Sequence, residues 1–218
     1  CNKENRIGSR IKNMVNRYNK IRIIMTKSPA SGPAVWFTGL PGSGKSSISR
    51  KVSQKLKDQG VNIHYLQMDK RRKVYFPEPD YSSSEREQAY SMFAREAAQL
   101  AGKGLFVIMD ATAPKKSMRD LARSLIDNFA EIHIDCSLET AMKRESQRPE
   151  GLVMADLYKK AQERKRTGKD FPGLGQVIGV DVPFEKDPNA ELTIKNDNLT
   201  LDQAVDQAMQ YILNNFLT

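Results

Sequence analysis

The chain has 218 residues, 39% of them apolar and 28% charged, which is enough for one α/β domain with a sizeable core. No run approaches the roughly 18 apolar residues a membrane span needs, and two cysteines, Cys1 and Cys136, are poor material for a disulfide framework, pointing to a reducing cytoplasm. Most of the net charge of +9 sits in residues 1–33, where Lys3, Arg6, Arg10, Lys12, Arg17, Lys20, Arg22 and Lys27 face only Glu4, and the remaining +2 or so is too little to argue for a nucleic-acid-binding face.

In chain order, residues 1–33 read as a basic arm closed by the linker Ser28-Pro-Ala-Ser-Gly-Pro33. A solvated extension or interdomain helix accounts for the arm better than contact with a fused or acidic partner does. No apolar stretch of about 7–15 residues follows its charges, so it is not a signal peptide. Residue 1 is Cys rather than Met, as expected of a trimmed start or a piece of a longer polypeptide.

Residues 34–218 read as one domain. Ala34-Val-Trp-Phe-Thr38 is an apolar, β-prone strand, and Ile48, Val52 and Leu56 fall at helical spacing behind it. Between them, Gly39 to Ser46 reads GLPGSGKS and fits G-x-x-x-x-G-K-[ST]. A strand, a glycine loop and a helix N-terminus in that order form an anion site, because backbone N–H groups and the helix dipole converge on phosphate oxygens. Gly39, Leu40, Pro41, Gly42, Ser43, Gly44, Lys45, Ser46 and Ser47 are therefore the predicted residues for binding a nucleoside triphosphate. Lys45 is placed to reach the β- and γ-phosphates, and the Ser46 hydroxyl to hold Mg²⁺. A Gly-rich turn that merely contains Lys-Ser does not explain the flanking strand and helix.

Val61–Leu66 is the second strand, ending at Gln67-Met-Asp69, and Lys70–Tyr81 is a charged, Pro-containing connection. Ser84-Glu-Arg-Glu87 has capping-box form and opens a helix that ends by Gly102 and Gly104. Leu105–Met109, closed by Asp110, reads as a strand buried on both faces. Ser117–Asn128 is helical, Glu131–Asp135 a strand, and Leu138–Glu145 and Asp156–Lys165 are helical. Arg166–Ala190 is irregular and too long for an idle loop. Glu191–Ile194 is the last strand, and the capping box Thr200-Leu-Asp-Gln203 opens a terminal helix with Leu201, Val205, Met209, Ile212 and Leu213 on one side. The alternation predicts a doubly wound α/β fold, a mainly parallel five-stranded sheet with helices on both faces. Ligands in such sheets sit at the carboxyl ends of the strands, which puts the phosphate loop, Asp69, Asp110 and the residues after Asp135 on one rim.

The loop alone does not select a chemistry, since motors and GTPases share it. Asp69-Lys-Arg-Arg72 leans toward a small kinase, with a carboxylate to accept a hydroxyl proton and an arginine to hold the acceptor's phosphate; a loop cap and a solvated arginine are the plainer readings. Asp110 is placed either as a carboxylate for Mg²⁺ or as a helix cap. Arg144, Arg148, Lys159, Lys160, Arg164 and Arg166 form a basic segment, mostly an exposed helix face, with Arg148 set apart at a turn beside Pro149 and Gly151. His64 and His133 read as strand packing residues and Cys136 as a small buried one.

Together these motifs resemble the adenylylsulfate (APS) kinases, over about residues 34–215. The resemblance is carried by Trp36–Ser47, by Leu157-Tyr-Lys-Lys-Ala161, and by Gly179-Val-Asp-Val-Pro-Phe-Glu185, which is similar to the family's G-I-D-x-P-Y-E. It implies the P-loop kinase fold, ATP and Mg²⁺ as cofactors, and a small nucleotide acceptor, with no nucleic-acid or membrane partner and a homodimer left open. It also implies roles. Asp69 is the general base, with Lys45 beside it in catalysis. Arg72, Tyr81, Arg86, Pro114, Lys160 and Phe171 bind the acceptor or belong to the lid, and Arg148 lies against the ATP adenine. Departures fall on the acceptor side: Gln67, Met68 and Lys70 replace parts of D-G-D-N-x-R, Ala89 takes a helix asparagine's place, and Ala113 takes that of a serine that can be phosphorylated. Extra residues separate Phe171 from Gly179. The leading expectation is an APS kinase. A relative acting on another nucleotide or nucleotide-linked small molecule, for instance in capsule or polysaccharide modification, comes next, and a non-catalytic nucleotide-binding domain is the third reading.

Overall fold

The computed structural model describes residues 31–79, 81–147 and 156–217. Five strands, β1 (Ala34–Thr38), β2 (Ile63–Gln67), β3 (Phe106–Asp110), β4 (Phe129–Asp135) and β5 (Leu192–Lys195), form one sheet in the order β2-β3-β1-β4-β5. Every pairing is parallel. β1 therefore lies at the centre, and successive connections leave it toward opposite edges, which opens a crevice at its carboxyl end. Register aligns Gln67 with Asp110 and Phe37 with Asp110, so the strand ends that precede the predicted chemistry reach the same rim.

Alternation along β1 divides the core. Ala34 and Trp36 face one layer, where Trp36 packs on Tyr90, Phe93 and Phe129 beneath helices α3 (Ser83–Ala101) and α4 (Lys116–Leu125). Val35 and Phe37 face the other, against α1 (Lys45–Asp58) and the terminal helix, α7 (Leu201–Phe216). A third cluster gathers Cys136, Ala141, Tyr158, Ala161, Leu174 and Val177, where α5 (Leu138–Ser146) and α6 (Leu157–Thr167) meet the irregular segment. The doubly wound parallel sheet is as the sequence predicts.

Several elements differ from expectation. The connection Lys70–Tyr81 contains a helix, α2 (Met68–Tyr75). Its Met, Lys and Arg residues favour helix, Asp69 complements the dipole in the first turn, and the helix stops at Phe76 because Pro77 disfavours helical backbone before it. The capping residue of α3 is Ser82, accepting from the Glu85 N–H at 3.1 Å, two residues ahead of the predicted Ser84. Both frames spell S-x-x-E, and burial of Glu85 against Arg72 selects the earlier one. The helix expected over Ser117–Asn128 ends at Leu125, leaving Phe129 and Ala130 to β4. In α7, Val205, Met209 and Ile212 are buried, whereas Leu201 and Leu213 are exposed. His64 is exposed on the edge strand β2, not packed; His133 is buried, stacked on Phe184 at 4.9 Å between ring centroids. Cys136 is buried as predicted, and burial pushes its thiol up to about 11.

Candidate active site

The glycine loop is fixed by contacts that exclude side chains. Gly42 has φ 85°, and a Cβ there would stand 2.2 Å from the Ala141 carbonyl oxygen. Gly44, at φ 98°, caps α1, and a Cβ there would meet the Asn196 amide at 2.8 Å. The loop's outer wall is held from three distant elements: Asn196 donates to the Ser43 carbonyl at 2.8 Å, Arg144 to the same oxygen at 3.4 Å, and the Tyr158 hydroxyl to the Pro41 carbonyl at 2.7 Å. No acidic residue of α1 itself occupies its first turn, so the positive end of the helix dipole faces the loop.

Inside the loop, the Ser46 hydroxyl donates to Asp110 Oδ1 at 2.9 Å, and the Tyr65 hydroxyl to Oδ2 at 2.9 Å. Tyr65 also bonds Ser49 at 2.9 Å, which ties α1, β2 and β3 together beneath the loop. Asp110 is buried, and that burial pushes its carboxyl up from the usual range; Lys45, Tyr65 and Ser46 pull it down, and Asp69 pushes it up again. Lys45 and Ser46 open α1 beside the Asp110 carboxylate, and Asp69 follows two residues after Gln67, the register partner of Asp110, so the phosphate loop and Asp69 lie at the carboxyl ends of the strands that flank β3. Asp110 does not cap a helix: Lys115 is the capping residue of α4.

Asp69 is exposed at the start of α2, just past β2. Arg72, one turn on, is buried, paired with Glu85 and set over the Tyr81 ring at 5.2 Å. It is not a solvated arginine. Glu85 also accepts from the Tyr81 N–H at 3.1 Å, holding Tyr81 at φ 55°. Arg86 is half-buried and donates to the Gln176 carbonyl at 2.7 Å, so the irregular segment reaches back over α3; burial, with Arg72 nearby, lowers its pKa.

The family model described as Adenylylsulphate kinase matches residues 31–195. The chain belongs to the adenylylsulphate kinase family. The "Probable adenylyl-sulfate kinase" of Halalkalibacterium halodurans is 32% identical over 180 residues, 82% of this chain and 81% of that protein. The adenylyl-sulfate kinase of Clostridium acetobutylicum is 29% identical over 199 residues, covering 91% and 90%. Among solved structures, the Mycobacterium tuberculosis APS kinase CysC in complex with AMPPNP and APS superposes with a TM-score of 0.68 at 26% identity, over 84% of this chain and 99% of that one. This adenylylsulphate kinase family member is thus a phosphotransferase acting on a hydroxyl.

The residues that the resemblance implicates come from several elements. Asp69, Arg72, Tyr81 and Arg86 gather around α2 and the start of α3. Pro114 is buried in the loop after β3, its carbonyl accepting from the Glu185 N–H at 2.8 Å. Lys160 lies on α6 and Phe171 in the segment after it, with Lys169 over the Phe171 ring at 5.0 Å; the same segment reaches Tyr81 and Arg86 through Gly175 and Gln176. Arg148 and its turn, and residues 1–30 of the basic arm, lie outside the described residues. Of the basic segment, Lys159 and Arg166 are exposed, but Arg164 binds the Gly175 carbonyl at 2.8 Å and Asp181 at 2.6 Å.

Sequence reasoning missed Asn196, Tyr65 and Glu85. Nothing in the local sequence of Asn196 or Tyr65 marks them, because their partners are 153 and 45 residues away. For Glu85 the signal was present in the S-x-x-E spacing from Ser82.

Proposed function

We propose that this chain transfers the γ-phosphate of ATP to the 3′-hydroxyl of adenosine 5′-phosphosulfate. The observation that carries the reading is the shared rim: Ser46 of the phosphate loop donates to the buried Asp110 carboxylate at the end of β3, and Asp69 follows β2, whose last residue, Gln67, pairs in register with Asp110. The loop amides and the α1 N-terminus bind the triphosphate, with Lys45 against its β- and γ-oxygens. A cavity of about 370 Å³ beside the loop, lined by Gly44, Ser47, Ile48, Arg144, Asn196 and Leu199, takes the nucleoside.

Ser46 and Asp110 fit Mg²⁺, being adjacent hard oxygens at the loop mouth, one of them a carboxylate with a raised pKa that a cation would relieve. Among the described residues there is no cluster of three acidic, His or Cys ligands, and Mg²⁺ bound to a nucleotide asks for only one or two protein oxygens. A bound Mg²⁺ would supply neutralisation of the negative charge on the transferring phosphates. Asp69, exposed at the cleft, accepts the proton of the attacking hydroxyl. Arg72 and Arg86 attract the acceptor's anionic group, with Arg72 aimed by its bond to Glu85. Tyr81 offers a ring for the acceptor's base. Lys160 and Phe171 belong to the lid.

Supplying APS to the full chain with ATP and Mg²⁺ is expected to stimulate ADP release. Asp69→Asn should lower the rate by at least about a hundredfold, the lower range for a positioned base, while ATP binding persists by calorimetry. Stimulation by another nucleotide and none by APS would replace the acceptor and keep the mechanism. Undiminished turnover in Asp69→Asn would remove the base.

A further inference from the structure

Ala113, in the loop after β3, is fully buried and sits at φ 47°, a left-handed conformation that side chains other than glycine rarely adopt. Such strain persists only where the surroundings over-determine it. Here both of its peptide groups are captured by buried side chains. Its N–H donates to the Tyr90 hydroxyl at 2.9 Å, and its carbonyl accepts from Arg119.

Arg119 is fully buried and serves four partners at once. One guanidinium nitrogen holds Ala113, a second donates to the Glu185 carbonyl, and Nε lies 3.0 Å from Glu131, itself fully buried. Its plane rests over Phe184 at 5.1 Å. Glu131 in turn accepts from Thr38, the residue before the glycine loop, at 2.7 Å. Glu185 completes the clamp. Its N–H binds the Pro114 carbonyl at 2.8 Å, and its carboxylate accepts from the Lys116 N–H at 2.7 Å. On the other side, the Tyr90 hydroxyl lies within the electrostatic reach of Asp69, Arg72 and Arg86. The Thr112 carbonyl accepts from the Gly39 N–H at 3.5 Å, so the same loop also touches the donor site.

We propose that Arg119 and Tyr90 are positioning residues for phosphoryl transfer, pinning Ala113 left-handed so that residues 112–114 form a rigid acceptor-side wall opposite Asp69. This rests on the reading of Asp69, Arg72 and Arg86 as the acceptor side. A charged pair with no exposure is a poor source of net stability, since apolar replacement of both partners is often neutral. What the pair supplies is geometry: a guanidinium fork satisfies two carbonyls from separate loops, which no apolar side chain can do.

The test uses two variants of the full chain. Arg119→Met combined with Glu131→Leu removes both charges together, so neither is left buried alone. Tyr90→Phe removes a single hydroxyl. Ala113 is followed by its backbone chemical shifts and its three-bond HN–Hα coupling, beside KM for APS, KM for ATP and the melting temperature. In both variants Ala113 is expected to leave the left-handed region. KM for APS should rise about tenfold, misplacement by an ångström being worth up to about a hundredfold, while KM for ATP stays within about twofold. Adding Ala113→Gly to Tyr90→Phe, which permits positive φ without a side-chain clash, should recover part of the APS affinity. Retention of the left-handed conformation in both variants overturns the proposal, as does a rise of both KM values in parallel. If the wild-type chain shows no APS-dependent turnover, the acceptor assignment fails, and the conformation of Ala113 in the variants still decides this one.

Discussion

His133 shows how a single residue's environment sets its chemistry. It lies between Phe184 and Asp135 at the end of β4, and burial lowers its imidazole to about 4, against the pull of Asp135 and with Lys186 and Arg119 adding to the fall. The fold therefore holds the ring neutral, whereas the unfolded chain protonates it below about 6.5. Stability should be level above that pH, fall as the pH drops toward about 4, and level off below, by up to about 3 kcal/mol in all. Urea titrations across this window should show the slope, and His133→Gln should flatten it. Asp135, whose pKa is lowered by Lys195 and Lys186 against its own desolvation, loses its contribution in a separate, more acidic window. Asp110 behaves in the opposite sense. Its raised pKa means that its charge opposes folding near neutrality, so Asp110→Asn should leave the nucleotide-free protein no less stable. The same change should weaken Mg²⁺-dependent ATP binding by about tenfold or more, readable by calorimetry with and without the metal.

Among the elements, α4 is capped from outside its own sequence. Lys115 offers no side-chain cap, and the Glu185 carboxylate reaches the Lys116 N–H from 69 residues away. Glu185→Ala should cost about 1 kcal/mol in chemical denaturation, the usual worth of a cap, with the loss of hydrogen-exchange protection concentrated in the first turn of α4. By contrast, the Thr200–Gln203 capping box of α7 was legible in the sequence, because its reciprocal bonds span three residues. The strand β1, the glycine loop and α1 were legible for the same reason: the pattern and its physics are both local. α2 was missed although its composition favours helix, since the prolines that follow it drew the whole stretch into a loop. The polar stripe of Thr38, Glu131 and His133 on β4 and β1 was not legible at all. Those residues become a set only when β1 and β4 pair in register.

At the scale of the whole molecule, the two layers of core fix the sheet, and the nucleotide site is assembled on top from α1, α5, α6 and the turn after β5. A ligand that binds only this assembled site stabilises the native state by mass action. MgATP at a hundred times its dissociation constant should add about 2.7 kcal/mol to the unfolding free energy. Lys45→Ala should abolish most of that increment with little change in the stability of the nucleotide-free protein, as measured by thermal shift across an ATP series. An ATP-independent melting temperature in the wild-type chain would argue against nucleotide binding at the loop.

The amino-acid sequence by itself determined the alternation of strands and helices, the phosphate loop and the kinase family, because hydrophobic period, glycine spacing and capping chemistry are all read over a few neighbouring residues. Only the tertiary structure decided that Arg72 is paired with Glu85, that Asp110 joins Ser46 and Tyr65, and that Arg119 clamps two loops to Glu131. Those pairings join different elements of the fold, and a one-dimensional pattern carries no record of which buried charge will meet which.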